Sequence, residues 1–301
     1  MSFPKPAKTY PEQIALLRGR GLLIPDERSA THCLKHYNYY RLSAYARPFL
    51  KTLEPPTFKD GTSFEDVWQL YCFDRDLRRL VNEAIKRFEI SARSRWAFEL
   101  GHACGALAYE DPSNFTSASQ HSDCLDKLDE QIARSHEDFI AHFRSKYGLP
   151  RPPIWAACEL MSFGMLSRMF ALKDLRIKKR IAETYLLPEP ILESLLHHLT
   201  YVRNLCAHHL RLWNRRFTIT LSLPVSFPEN VAQSVNRRVP DNRKIYNTLV
   251  VLVHICGVID ETDAWRARLL ALLARYPTWC SVMGFPPSWQ KLRIWTASPI
   301  A

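Results

Sequence analysis

Apolar side chains recur every three or four positions along most of this chain, the spacing of helices that bury one face. The longest such pattern opens at Ser63-Phe64-Glu65-Asp66, a capping Ser followed by early acids, and runs through Trp68, Leu70, Phe73, Leu77, Val81, Ile85, Phe88 and Trp96 to Leu100. Shorter helices are predicted from Pro11 to Arg20, stopping at the Gly19/Gly21 pair, and from an Asp26 N-cap through Leu34. Leu125 to Tyr147 reads as one exposed helix with a thin apolar stripe. Pro150-Arg151-Pro152-Pro153 then forces a break before an apolar helix from Ile154 to Gly164, where close approach or a kink is expected. Ile177 to Thr184, Glu189 to Trp213, Ile245 to Ile259 and Thr262 to Arg275 complete the helical set, while Thr218 to Leu223 alternates like a short strand or an extended arm. The fold class is all-α, without an internal repeat.

Composition changes this picture only in places. The 301 residues, 47% of them hydrophobic, can build a substantial core without covalent staples. Eight scattered Cys residues with no C-x-x-C pair and no secretory leader read as reduced thiols, so a cytoplasmic location is expected. The longest apolar run, Thr248 to Val258, contains His254 and falls short of the roughly 20 residues a membrane span needs, so a soluble protein is expected. Charge is more pointed: 41 Lys+Arg against 30 Asp+Glu give a formal +11. A basic, Arg-containing surface favours phosphate polyanions, with nucleic acid first among them, although solubility alone accounts for many such surfaces.

Within this frame Tyr201-Val202-Arg203-Asn204-Leu205-Cys206-Ala207-His208-His209 stands out, because it sets an Arg, an Asn and a His within two turns of a predicted helix. Cleavage of RNA by its own 2′-hydroxyl needs a base, an acid and positive charge on the phosphorane; an imidazole with an ordinary pKa of about 6.5 serves the first two, and a guanidinium the third. On a regular helix Asn204 and His208 share a face, whereas Arg203 and His208 are displaced by roughly 140°, so Arg203 must reach round or the helix must bend. One His does not readily serve both ends of the reaction, which favours a symmetric homodimer with a composite cleft. A simpler use of a His-His pair near a helix end is to hydrogen-bond helix-terminal or core groups. His197 and His198 raise the question of a metal, but no ligand spacing supports one, and no metal or cofactor is expected. Glycine-rich phosphate loops and a G-x-S-x-G elbow are both missing from the sequence. Tyr37 to Tyr45, interleaved with Arg41, can stack bases or simply pack, and Arg41, Arg211 and Arg215 are candidate RNA contacts.

The stretches HYNYYRLSAYARPFL, FEDVWQLYCFDRDLRRLVNEAIKRFEISARSRWAFEL, PPIWAACELMSFGMLSRMF and YVRNLCAHHLRLWNRRF, in that order and with the tail MGFPPSWQKLRIW, resemble the Abi-like (abortive infection) family of bacterial phage-defence proteins. That family is similar to the HEPN superfamily, all-helical proteins whose active members cut RNA with an Arg, four to six further residues and a His. The resemblance implies a HEPN-type helical bundle with extra N- and C-terminal helices, organised as a single domain: a helical cap at 1–60, a HEPN-like core at 61–216, and an extended arm with C-terminal helices at 217–301. It also implies a metal-independent ribonuclease acting as a homodimer, with Arg203 and His208 catalytic, Asn204 in the polar position after the Arg, and His209 within the permitted spacing. By the same resemblance Glu89 and Arg93 lie opposite the motif helix, where Glu89 can orient His208 and Arg93 can touch phosphate; a local i,i+4 ion pair is the competing reading. Non-catalytic binding of a structured small RNA, as a defence regulator or scaffold, and RNA-modifying or toxin–antitoxin behaviour are the alternative functions.

Overall fold

A capping box starts the first helix: Thr9 accepts from the Glu12 amide while the Glu12 carboxylate takes the Thr9 amide at 2.6 Å. The computed structural model describes residues 6–260 and 264–296, and the chain falls into two compact units, 1–76 and 77–301. In the first, α1 (Tyr10–Gly19) packs on α2 (Glu27–Tyr37), which Asp26 caps, and α3 (Tyr39–Ala46) leads into a small hairpin of β1 (Leu50–Leu53) and β2 (Pro56–Phe58). The opening turns of α4 (Phe64–Cys104) complete this unit. Its aromatic cluster is packed: Trp68 stacks on Tyr71, Tyr37 meets both edge-on, and the buried Tyr45 hydroxyl donates to Asp74 at 2.6 Å. Arg41 is exposed on α3.

In the second unit the rest of α4 lays Leu77, Val81, Ala84, Ile85, Phe88, Trp96 and Leu100 into the core. Where one helix was predicted over Leu125 to Tyr147, there are two, α5 (Ala118–Arg134) and α6 (Asp138–Tyr147), because Ser135–Glu137 is extended. The apolar helix after Pro153 is also divided, into α7 (Ile154–Leu160) and α8 (Phe163–Ala171): Ser162 adopts an extended conformation and caps α8 by accepting from Met165 N. The break therefore precedes Gly164. Gly164 instead allows α8 to lie close on a later helix, since a Cβ there would meet the Thr200 methyl at 3.3 Å.

α9 (Leu175–Thr184) and α10 (Glu189–Ala207) follow, then the short α11 (Glu229–Ala232). α12 (Ile245–Ile259) is buried on every side from Ile245 to Cys256, as its uniformly apolar sequence requires. α13 is described over Ala264–Arg275, and its predicted start at Thr262 lies outside the described residues. Trp265 on this helix donates to the Leu80 carbonyl at 2.8 Å. α14 (Arg293–Thr296) brings Trp295 beside Phe285, Trp289 and Tyr246. The protein is all-α apart from the hairpin, and among the described residues no helix is long and apolar enough to cross a membrane.

Candidate active site at the end of helix α10

Pro190 in the first turn, with Glu189 at the positive end of the helix dipole, sets the start of α10. One face is buried through Leu192, Leu195, Leu199, Val202 and Leu205, packed on α8 and α9. A less buried stripe carries Glu193, His197, Thr200 and Asn204.

The helix stops at Ala207, six residues short of the predicted Trp213. His208 is the C-cap and His209 takes a left-handed conformation at φ 55°. The His209 amide bonds the Cys206 carbonyl at 3.0 Å and the Leu210 amide the Leu205 carbonyl at 2.8 Å, the two bonds of a Schellman turn. His208 keeps the helical register to the cap, its amide bonding the Asn204 carbonyl at 3.0 Å, so it shares a face with Asn204 and stays displaced round the helix from Arg203; the chain leaves the helix only after it. Asn204 and His208 are exposed and Arg203 is half-buried on the flank beside them.

After the turn the chain runs back along α10. Arg215 and Thr218 hydrogen-bond the Tyr201 phenol, Ile219 reaches His198, and the Ser222 amide donates to the Ser194 hydroxyl at 2.8 Å. Burial opposes ionisation of Tyr201, but the bonds from Thr218 and the Arg215 cation outweigh it and bring the phenol below its ordinary pKa. Arg215 also donates to the Arg211 carbonyl at 3.3 Å. Residues 217–223 form an arm that is not a strand and bends at Thr218 and Ile219: Phe217 is held by the Arg243 guanidinium and carbonyl, and the arm's other hydrogen bonds go to side chains of α10.

His198 is buried, with Nδ1 2.8 Å from the Ile219 carbonyl and Nε2 2.8 Å from the Thr248 hydroxyl, so both ring nitrogens are engaged. Burial pushes its pKa down to about 4. It pins α10 to the returning arm and to α12. Among the described residues no three His, Cys, Asp or Glu side chains are grouped as a metal site would need.

Glu89 and Arg93 form the i,i+4 ion pair, largely buried, and Arg93 also donates to the Met161 carbonyl at 2.9 Å. The pair ties α4 to the junction of α7 and α8; no hydrogen bond joins either residue to His208. Sequence reasoning missed Tyr201 and its use of Arg215, for which the only signal was a Tyr two residues ahead of the motif Arg.

The Abi-like protein family model matches residues 32–214, from the middle of α2 to just past the Schellman turn. No curated protein and no solved structure matches the chain.

Proposed function

The chain belongs to the Abi-like protein family, and from that premise we propose that it is a metal-independent endoribonuclease of the HEPN type. Family membership suggests a role in abortive-infection defence against phage. The observation that carries the nuclease reading is an Arg-Asn pair on the last turn of α10 followed by an exposed His at its cap. In this reading His208 moves the proton of the attacking 2′-hydroxyl or of the leaving 5′ oxygen, Arg203 neutralises the phosphorane, and Asn204 positions the ribose or phosphate by hydrogen bonding. A second copy of the chain supplies the second imidazole, so that acid and base act from opposite sides of one cleft in a homodimer. His209, whose strained backbone fixes the turn, holds His208 in place. Glu89 and Arg93 support the site through the start of α8.

The test is incubation of purified wild type, Arg203→Ala and His208→Ala with labelled RNA in EDTA, followed by analysis of the 3′ ends. Wild type should leave 2′,3′-cyclic phosphates, and each variant should lose roughly 10²–10⁴-fold in rate. Intact RNA from all three, with a retained gel shift, would favour the second reading, a non-catalytic RNA-binding regulator, which the net charge of +11 supports.

A further inference from the structure

A cleft of about 830 Å³ opens among α5, α8, α9 and α10. Its walls carry Lys127, Arg168, Lys178 and His197, together with the hydroxyls of Ser194 and Thr200. Its two carboxylates are unequal: Glu193 is bound to Lys178 at 2.7 Å, and Glu189 lies in the first turn of α10. Lys127 and Arg168 are exposed and form no ion pair among the described residues, so the cleft presents two cations without bound counter-charges. The extended arm closes one side, where Ser222 is fixed to Ser194.

The cleft also has a direction. Along α10, His197, Asn204 and His208 fall within about 20° of one line, and Asn204 stands roughly 10 Å beyond His197. The cleft wall ends at Thr200, one turn before Asn204. Its floor and the motif therefore lie on a single stripe of one helix, and an extended polyanion leaving the cleft along α10 arrives at Asn204 and His208.

We propose that this cleft binds the single-stranded RNA flanking the scissile phosphate, with Lys127 and Arg168 holding backbone phosphates and the Ser194 and Thr200 hydroxyls meeting ribose 2′-hydroxyls. That it receives the substrate rests on the ribonuclease reading above. The chemistry of the walls favours a strand over a mononucleotide. Apart from the His197 ring and the Arg168 guanidinium, no planar side chain lines the cleft to stack a base, whereas cations and hydroxyls are what the sugar-phosphate backbone offers partners to. Recognition of this kind is indifferent to sequence and sensitive to salt.

The test uses the full chain carrying His208→Ala, a fluorescein-labelled single-stranded RNA of 12 nucleotides, and anisotropy titrations between 50 and 200 mM NaCl. Replacing Lys127 and Arg168 together by Gln should weaken binding about tenfold at 100 mM salt and reduce the slope of log K against log salt by about 1.4, two single-strand phosphate contacts at about 0.7 each. Arg144→Gln with Lys146→Gln on α6 removes the same charge elsewhere on the surface and should change neither quantity. Equal losses from the two double variants would reduce the cleft to general electrostatics and overturn the proposal, as would unchanged binding. Displacement of the RNA by micromolar AMP would overturn it in favour of a mononucleotide site. Cleavage by chains with an intact His208 separates this idea from the one beneath it. Cleft-dependent binding with no cleavage by wild type removes the nuclease and leaves the cleft as an RNA-binding surface. Normal cleavage with an unchanged KM in the cleft variant removes the cleft and leaves the nuclease.

Discussion

Acid should loosen the anchorage of α10 through His198. The imidazole is buried between the Ile219 carbonyl and the Thr248 hydroxyl, with no carboxylate among its contacts to share a proton's charge. Its pKa of about 4 lies well below the ordinary 6.5, because burial penalises the charged form. The unfolded chain therefore takes up a proton at this position as pH falls below about 6.5, and the folded chain resists until about pH 4. Stability from the neutral His198 is complete above pH 6.5 and is lost as pH falls toward 4. At about 1.36 kcal/mol per pKa unit, the loss between pH 7 and pH 5 is about 2 kcal/mol. Urea unfolding followed by far-ultraviolet circular dichroism at the two pH values measures it, with His198→Gln as the reference. Glutamine offers an amide N–H to Ile219 and a carbonyl to Thr248 but does not titrate. Wild type should lose about 2 kcal/mol more than the variant on acidification. His254, also buried with its pKa lowered by burial, is present in both proteins and cancels. Equal losses in the two would refute the reasoning.

His209→Gly should raise the stability to urea by about 1 kcal/mol, since glycine adopts the left-handed turn without the Cβ penalty; no gain would mean that an imidazole contact offsets the strain. Gly284→Ala should cost about 2 kcal/mol or more in thermal unfolding, because φ is 88° and the new Cβ would lie 2.6 Å from the Asp241 carbonyl oxygen. Glu89→Ala should destabilise by about 3 kcal/mol by leaving the largely buried Arg93 unpaired, and Glu89→Gln should leave the pH profile of cleavage unmoved if the carboxylate serves Arg93 alone. Arg215→Gln should raise the titration midpoint of Tyr201, read from phenolate absorbance at 295 nm, because the lowering bond is lost while burial stays.

The helices the sequence marks best are those whose ends carry chemistry of their own. α4 was legible from its period and its Ser63–Asp66 opening, where the Ser63 hydroxyl does pair with the Asp66 carboxylate at 2.8 Å, and the start of α10 was legible from Pro188 and Pro190. The end of α10 was not. A glycine normally announces a left-handed cap, and here a histidine occupies it, so the apolar period runs on through Leu210 and Trp213. Ser162 was equally silent, because one capping hydroxyl inside an apolar run does not disturb its period. At the site, the motif itself was visible because its members are neighbours in sequence. The cleft was not, because Lys127, Arg168, Lys178 and His197 come from separate helices and meet only in the packed chain.

The helix end at His208 bears on how such a motif tolerates change in length. Inside a continuous helix, one added residue would swing the histidine by about 100° and advance it about 1.5 Å, carrying it off the reacting face. At the end of α10 the same rule holds up to the cap, because the His208 amide still bonds the Asn204 carbonyl; only the chain beyond His208 is free to absorb a change in length. In this chain the second histidine adds tolerance in one direction: loss of one residue before the cap brings His209 into the place of His208, so a deletion at this spot need not empty the position.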